Sequence, residues 1–154
     1  MHYLDHAATT PVPAAVAQAM LEVLTNQFGN PSAQYPLGQE AKKLTDRCRA
    51  TVAQALGCKP ERLFFTSCGT ESDNWAIQAA VWHGRHAGRH IITTSVEHNA
   101  VLECCKWQQA QGCEVTYIKP DKNGNITAEQ VLEAVRPDTA LVSVMMVNNE
   151  LGTV

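Results

Sequence analysis

A turn at Gly69 and Thr70 carries the first group of residues that could do chemistry. An apolar, β-rich run ends at Thr66, and a helical pattern follows Thr70. Free backbone N–H groups at a helix start bind phosphate together with the helix dipole, and the Thr70 hydroxyl adds a donor. The same pattern fits a plain helix cap, in which Thr70 caps the helix and Glu71 and Asp73 complement its dipole. The lysine of a P-loop is missing, so an anion site and a simple cap both stay open.

Two further polar groups follow predicted strands. His98 comes just after the pattern HIITT, where an imidazole can stack on a flat ligand or transfer a proton. Asn149 follows a buried apolar run, where amide side chains can orient a ligand by hydrogen bonds. Taken alone, His98 could equally be a solvated or capping histidine, and the pair Asn148-Asn149 an ordinary turn. Because ligands of open α/β sheets lie beyond the carboxyl ends of strands, the three groups together predict one site.

The spacing of the histidines and cysteines argues against a metal site and against disulfides. The stretch HGRHAGRH, His83 to His90, contains two arginines that would repel a cation, so we predict a solvated basic loop and no metal site. The six cysteines include no C-x-x-C pair, which predicts free thiols. Cys104 and Cys105 lie in a helical pattern and are predicted to be small packing residues.

The elements that would position these groups alternate along the chain. Strands are predicted at 63–66, 90–94, 114–118 and 140–147, and helices at 13–25, 39–56, 71–82, 98–111 and 127–135. Four strands separated by helices predict an α/β fold with a mainly parallel sheet covered by helices. Gly57 is predicted to end the second of these helices.

Composition and charge exclude several classes of protein. The chain has 154 residues, of which 45% are hydrophobic and 18% charged, a globular composition. A net charge of -3 and a pI near 6.0 argue against a nucleic-acid partner. No apolar run approaches the ~20 residues of a membrane span, and the N-terminus lacks the basic and apolar regions of a signal peptide. We therefore expect no membrane partner and a cytoplasmic location.

Five motifs in a fixed order resemble one enzyme family. They are YLDHAATTP from Tyr3, FGNPSA from Phe28, FTSCGTESDN from Phe65, EHNAVL from Glu97 and NNELGTV from Asn148. Together they span essentially the whole chain and resemble the N-terminal part of cysteine desulfurases of the NifS/IscS class, within the class V aminotransferase family. The wording FTSCGTESD is most similar to the nitrogen-fixation branch of that class.

The resemblance implies a pyridoxal 5'-phosphate enzyme of fold type I. Such enzymes convert L-cysteine to L-alanine, pass the sulfur as a persulfide to an iron–sulfur scaffold protein, and act as homodimeric transferases. By motif, Gly69 and Thr70 would bind the cofactor phosphate, and Asn149 would hydrogen-bond the 3-oxygen of the pyridine ring. His98 would stack on that ring and shuttle protons. The implied organisation is an N-terminal segment near the active site at 1–12, a helical region at 13–57, and the first part of the cofactor-binding large domain at 58–154.

The resemblance also implies parts that these residues do not contain. The family's Schiff-base lysine follows a Ser-x-His pattern after the NNE motif, and no lysine here has that context. The aspartate that holds the pyridinium nitrogen and the sulfur-accepting cysteine also lie later in the family. The resemblance thus implies that Cys68, beside the phosphate, is a packing residue and not the sulfur acceptor. We therefore expect these 154 residues alone to be an inactive N-terminal fragment. Two alternatives stay open: a selenocysteine lyase or other fold type I enzyme, and a non-catalytic ligand-binding fragment.

Overall fold

The computed structural model describes residues 2–84 and 88–154 of the chain. These residues form two compact units, Met1–Phe65 and Thr66–Val154. The helices are α1 (Ala14–Asn26), α2 (Pro36–Ala55), α3 (Gly69–Gly84), α4 (Asn99–Ala110) and α5 (Ala128–Ala134), and the strands are β1 (His90–Thr94), β2 (Glu114–Ile118) and β3 (Thr139–Val142). Each predicted helix is confirmed, and the largest difference at an end is the start of α2, at Pro36 instead of residue 39. The domain boundaries expected from the resemblance stay predictions.

The first unit contains α1 and α2, and the two ends of α2 follow from local chemistry. Pro36 occupies the first position of the helix, where its missing N–H costs nothing. At the other end Gly57 has a φ of 66°, a left-handed conformation that glycine adopts without strain. The N–H of Gly57 donates to the carbonyl of Gln54, and the N–H of Cys58 to that of Ala53. This is a Schellman motif, and the prediction that Gly57 ends the helix is confirmed.

The second unit contains the sheet. Its three strands lie in the order β2-β1-β3, and β1 pairs in parallel with both neighbours. All five residues of β1 are buried, which is why the run HIITT carries so little charge. The bounds of β1 and β2 are those predicted. The parallel α/β class predicted from the alternation of elements is confirmed.

The strand predicted at 63–66 is wrong. Leu63 is extended, with φ -97° and ψ 123°, but no strand is assigned to residues 63–66. The guanidinium of Arg49 donates to the carbonyl of Leu63, and its central carbon lies 4.9 Å from the centre of the Phe65 ring. A side chain therefore satisfies a carbonyl that a strand would offer to a neighbouring strand. No strand pairs with residues 63–66, so the sheet within the described residues has three strands and not the predicted four.

The last strand is shorter than predicted, since it ends at Val142 and not at residue 147. Ser143 still donates its N–H to the carbonyl of Ile92 in β1, at 2.9 Å. Two residues later, the N–H of Met145 donates to the carboxylate of Glu97, also at 2.9 Å. A side-chain acceptor has replaced the neighbouring strand, and the ladder ends there.

The core of the second unit lies between the sheet and the helices α3 and α4. Its buried cluster joins Ile77 of α3, Ile91 of β1 and residues of α4 that include Cys104 and Cys105. All six cysteines are free thiols, as predicted, and the packing role predicted for Cys104 and Cys105 is confirmed. Burial raises the pKa of Cys105 to about 11, so this thiol stays neutral and acts as a small apolar group.

His90 lies at the centre of the sheet and is fully buried. Its Nδ1 is 2.9 Å from the hydroxyl of Thr139 in β3, and its Nε2 is 2.8 Å from the hydroxyl of Thr116 in β2. One imidazole thus bridges all three strands, which corrects the prediction of a solvated loop at this residue. Residues 85–87 of the same histidine-rich stretch lie outside the described residues. Within the described ranges, no group of three His, Cys, Asp or Glu side chains could hold a metal ion.

Candidate functional site

Gly69 and Thr70 are the first two residues of α3, and both are exposed. A Cβ atom built on Gly69 would meet no described atom within 4 Å apart from its chain neighbours and the backbone of its own helix, so the space beside Gly69 is open. Thr70 lies inside the helix, which corrects the alternative in which it is the cap. The N–H of Ser72 donates instead to the carbonyl of Cys68, at 3.2 Å. The start of α3 therefore has the open space and the donors that an anion needs.

The pKa of the Cys68 thiol reflects the electrostatic environment at the start of α3. The backbone N–H of Glu71 and the hydroxyl of Ser67 lower the pKa of this thiol, with the N–H of Thr70 acting in the same direction. Cys68 is exposed, so its predicted role as a packing residue is wrong. Because the N–H groups stabilise a thiolate, they favour negative charge in front of the helix.

Glu71 adds a carboxylate to the same turn. It accepts the N–H of Ser67 at 2.6 Å and the hydroxyl of Ser67 at 2.8 Å, and these bonds lower its pKa. The ionised carboxylate fixes the loop that leads into α3, as predicted for an acidic residue in the first turn. An anion bound at the helix start would share this end with Glu71, and the exposure of the turn lets water and salt screen their repulsion.

Asn74 connects the start of α3 to the start of α4. Its Nδ2 donates to the carbonyl of Thr70 at 2.8 Å and to the carbonyl of Ala100 at 3.3 Å. The sequence analysis missed this residue. The only available signal was its position four residues after Thr70, which places both residues on one face of the helix. Asn74 thereby links the proposed anion site to the helix that begins after His98.

His98 is the N-cap of α4 and is exposed. The backbone N–H of Ala100 donates to Nδ1 of the ring, with 3.1 Å between the two nitrogens. The capping role considered for this residue is therefore correct for one ring nitrogen, Nδ1. A neutral imidazole that accepts at Nδ1 carries its proton on Nε2, so Nε2 is the atom that can exchange a proton with a ligand.

Asn149 is exposed in the loop that follows β3, and its Nδ2 donates to the carboxylate of Glu150 at 3.0 Å. The shape of this loop depends on the preceding residue, Asn148, which is buried. The Oδ1 of Asn148 accepts the N–H groups of Glu150 at 2.9 Å and Leu151 at 2.8 Å. The turn interpretation is thus correct for Asn148, whereas Asn149 presents its amide at the surface of that turn.

The loops after β1 and β3 are joined by side chains. The carboxylate of Glu97 accepts the N–H of Met145, and Nδ2 of Asn148 donates to the carbonyl of Val96 at 3.1 Å. Neither Glu97 nor Asn148 was predicted as a site residue, because a polar residue beside a candidate site residue looks like any other loop residue.

Two of the three predicted groups, His98 and Asn149, follow strands of one sheet, while Gly69 and Thr70 follow an irregular segment.

Comparisons with known proteins agree with this architecture. The family model for class V aminotransferases matches residues 2–154. The cysteine desulfurase IscS of Methanosarcina thermophila is 47% identical over 152 residues, and that match spans 99% of this chain and 38% of the relative. The cysteine desulfurase IscS of Neisseria meningitidis serogroup C is 45% identical over 153 residues, with the same two coverages of 99% and 38%.

Solved structures give the same result for the fold. A structure named as a NifS-like protein superposes with a TM-score of 0.91 at 39% identity, over 96% of this chain and 41% of that one. A structure named as SspA in complex with cysteine superposes with a TM-score of 0.92 at 39% identity, over 100% of this chain and 44% of that one. This chain belongs to the class V aminotransferase family, whose members depend on pyridoxal phosphate. It spans 38% of the length of the first of these curated relatives.

The described residues have the chemistry that pyridoxal phosphate requires. Its phosphate needs several N–H donors, and Thr70 and Glu71 lie in the first turn of α3, where backbone N–H groups lack helical acceptors and the lowered pKa of Cys68 indicates that negative charge is favoured. The open space at Gly69 leaves room for the group. A flat ring needs an exposed aromatic face, which His98 offers, and its ring oxygen needs a donor, which Asn149 offers.

No described helix is long and apolar enough to cross a membrane.

Proposed function

We propose that this chain forms the phosphate-binding and ring-stacking side of the active site of a pyridoxal-phosphate-dependent cysteine desulfurase. The observation that carries the proposal is the 47% identity to a cysteine desulfurase over 99% of the chain. The solved structure named as a cysteine complex, at a TM-score of 0.92, supports L-cysteine as the substrate. Asn74 bonds to the carbonyls of Thr70 and Ala100, and the N–H of Ala100 bonds to His98. Asn148 bonds to the carbonyl of Val96 in the loop that carries His98, and these connections support a single site.

Each residue has a separate task in this site. Gly69 and Thr70 hold the cofactor phosphate through backbone N–H groups at the start of α3, with the helix dipole adding to the attraction. His98 stacks on the pyridine ring, and its orientation is fixed because Nδ1 is occupied by the N–H of Ala100. The proton on Nε2 is the one that His98 can give to a substrate atom or take from it.

Asn149 orients the ring from its oxygen side. Its amide nitrogen carries two hydrogens, and only one of them is needed for the bond to Glu150. The second hydrogen can donate to the 3-oxygen of the pyridine ring. When bound, pyridoxal phosphate withdraws electrons from the α-carbon of the substrate so that a proton can leave it.

The net reaction balances without a further oxidant. L-cysteine and a protein thiol give L-alanine and a protein persulfide, so that one carbon–sulfur bond breaks and one sulfur–sulfur bond forms. The acceptor of that sulfur is an iron–sulfur scaffold protein, and the enzyme is a cytoplasmic homodimer. The nitrogen-fixation branch stays a prediction from the wording FTSCGTESD, since the curated relatives above carry IscS names and one solved structure a NifS-like name.

A charge change at Gly69 tests the site without disturbing the fold. In the protein at its natural length, Gly69→Asp places a carboxylate in the open space at the helix start, where a negative charge stabilises the helix itself. It should raise the dissociation constant for pyridoxal phosphate about tenfold, because two like charges about 4 Å apart repel by ~1 kcal/mol in water and ~4 kcal/mol near a protein surface, and a tenfold change corresponds to about 1.4 kcal/mol. The neutral variant Gly69→Asn has the same size and should retain binding to within about threefold.

Substrate assays separate the proposed function from its alternatives. The wild-type protein, loaded with pyridoxal phosphate, should form L-alanine from L-cysteine and leave a persulfide on the protein. Alanine from L-selenocysteine but not from L-cysteine would assign the lyase alternative. Cofactor binding without either product would assign a non-catalytic module, and equal binding by Gly69→Asp and Gly69→Asn would remove the phosphate from the start of α3.

A further inference from the structure

The two loops that carry His98 and Asn149 are tied together by the residue that precedes each of them. Glu97 and Asn148 are both 7% exposed, whereas His98 and Asn149 are exposed. Each loop thus has one buried polar residue next to one exposed polar residue. Buried polar side chains occur where their hydrogen bonds are satisfied, so the partners of Glu97 and Asn148 show what these residues hold.

Glu97 holds the chain on both sides of the gap between the loops. Its Oε1 accepts the hydroxyl of Thr94, at the end of β1, at 2.9 Å, and the backbone N–H of Met145, beyond β3, at 2.9 Å. The hydroxyl of Thr94 also accepts the N–H of Val96 at 3.3 Å. One carboxylate oxygen therefore fixes its own loop and the other loop at the same time.

Asn148 makes the reciprocal connection. Its Nδ2 donates to the carbonyl of Val96 at 3.1 Å and approaches the sulfur of Met145 at 3.4 Å. Its Oδ1 accepts two N–H groups of its own loop, from Glu150 and Leu151. The two halves of this amide have separate functions, because Oδ1 shapes the loop and Nδ2 crosses to the neighbouring one.

We propose that Glu97 and Asn148 are positioning residues that set the distance between His98 and Asn149. The inference rests on the proposed function, in which His98 stacks on the ring and Asn149 contacts its 3-oxygen. A ring held at a face and at an edge by two different loops requires those loops to keep one separation. A misplacement of about 1 Å in a supporting loop is enough to impair a site of this kind. The cross-links from Glu97 and Asn148 supply that separation before any ligand binds.

Two pairs of variants separate the cross-link from the presence of a polar group. Glu97→Gln keeps an oxygen that can accept from Thr94 and Met145, while Glu97→Ala removes it. Asn148→Asp keeps an Oδ1 acceptor for Glu150 and Leu151, but it loses the donor to Val96. Glu103→Ala is the matched control, since Glu103 lies on α4, is exposed, and pairs only with Lys106 among the described residues.

The first measurement needs no cofactor. In the protein at its natural length, backbone hydrogen exchange at Met145 should be slow in the wild type and in Glu97→Gln. It should be at least tenfold faster in Glu97→Ala and unchanged in Glu103→Ala. Equal exchange in Glu97→Ala and the wild type would overturn the cross-link itself.

The second measurement uses added pyridoxal phosphate. Glu97→Ala and Asn148→Asp should raise its dissociation constant at least tenfold and shift the absorption maximum of the fraction that binds. Glu97→Gln should stay within threefold and keep the wild-type maximum. Ile77→Ala destabilises the core away from both loops, so it should lower the unfolding midpoint and keep the wild-type maximum. A shift in Ile77→Ala equal to that in Glu97→Ala would reduce Glu97 to a residue of general stability.

The outcomes distinguish this inference from the proposed function. A wild-type protein that does not bind pyridoxal phosphate would overturn the proposed function and the positioning role with it. A wild type that binds the cofactor, together with a Glu97→Ala variant that has the same affinity and the same absorption maximum, would overturn the positioning role alone. Tenfold weaker binding in Glu97→Ala with rescue in Glu97→Gln would support both.

Discussion

The backbone N–H of Ala100 donates to Nδ1 of His98, so one ring both begins α4 and faces the proposed site. A structural role and a chemical role therefore meet in a single side chain. Asparagine is among the best helix caps, whereas alanine is among the poorest, so two substitutions can separate the roles. The proton on Nε2 and the aromatic face are lost in both variants.

We predict that His98→Ala lowers the free energy of unfolding by about 1 kcal/mol, because the N–H of Ala100 loses its acceptor. His98→Asn should retain the stability to within ~0.5 kcal/mol, because a short amide can cap the helix in place of the ring. Both variants should lose at least about 100-fold in alanine formation, the usual contribution of a positioned proton-transfer group. Urea unfolding and an alanine assay measure the two effects, and full activity in His98→Asn would remove the ring from the mechanism.

The buried His90 should make the stability of the fold depend on pH. Burial lowers its pKa, and the charge of Arg136 acts in the same direction, while Asp138 and Glu114 oppose both. The unfolded chain therefore binds a proton at His90 more readily than the folded chain does. The contribution of the neutral His90 to the free energy of unfolding should be fully present above the unfolded pKa of about 6.5, and it should fall as the pH drops below that value.

Urea midpoints between pH 7.5 and pH 5 should show this loss. The slope attributable to one proton is at most ~1.4 kcal/mol per pH unit. His90→Asn removes the titrating group, so its absolute stability falls but its dependence on pH in this window should be shallower. A variant that keeps the wild-type slope would assign the pH dependence to other groups.

The strands that sequence reasoning located best were those in which the hydrophobic pattern coincides with pairing in the folded sheet. In β1, a fully buried run gave the correct ends, and in β2 a β-rich run that is only partly buried did so as well, because both strands pair along their whole length. Residues 63–66 have a similar pattern but pair with no strand, and the carbonyl of Leu63 accepts from Arg49. Local pattern finds extended chain, and a strand also requires a partner.

The candidate site shows the same limit. His98 was predicted from its place after a strand, but its cap through Nδ1 depends on a ring orientation that no spacing encodes. Glu97 was missed because its partner Met145 lies 48 positions further along the chain. Contacts of this range follow from the register of β1 and β3, which only the folded sheet defines.

Cys68 should be the most reactive thiol of the chain towards alkylation at pH 7. Its pKa is lowered, and only thiolates react, whereas Cys104, Cys105 and Cys113 are buried. Cys48 and Cys58 are also exposed, but Cys48 lies within α2 and Cys58 follows the C-terminal end of α2, so neither has the N–H donors of a helix start. Peptide mapping after brief treatment with iodoacetamide measures the order.

Pyridoxal phosphate should slow the labelling of Cys68, because its phosphate would use the N–H groups of Thr70 and Glu71, which otherwise lower the pKa of the thiol. Labelling of Cys48 serves as the internal control and should not change. Cys68→Ala should still form a persulfide, since the sulfur-accepting cysteine implied by the family lies elsewhere. Loss of the persulfide in Cys68→Ala with the cofactor still bound would instead make Cys68 the acceptor.

The amide of Asn74 should be needed as a donor, and not merely as a polar group. Asn74→Asp has the same shape, but its carboxylate cannot donate to the carbonyls of Thr70 and Ala100 and repels both. Two bonds are lost, one exposed at Thr70 and one partly buried at Ala100, and both acceptors face a charge, so the free energy of unfolding should fall by ~1–3 kcal/mol. Gln78→Glu is the same amide-to-acid change on an exposed position of α3 and should cost less than ~0.5 kcal/mol. Because a protonated carboxyl group regains one donor, the deficit of Asn74→Asp should shrink from pH 8 to pH 5, and a deficit that is constant over this range would show that Asn74 does not act through its N–H groups.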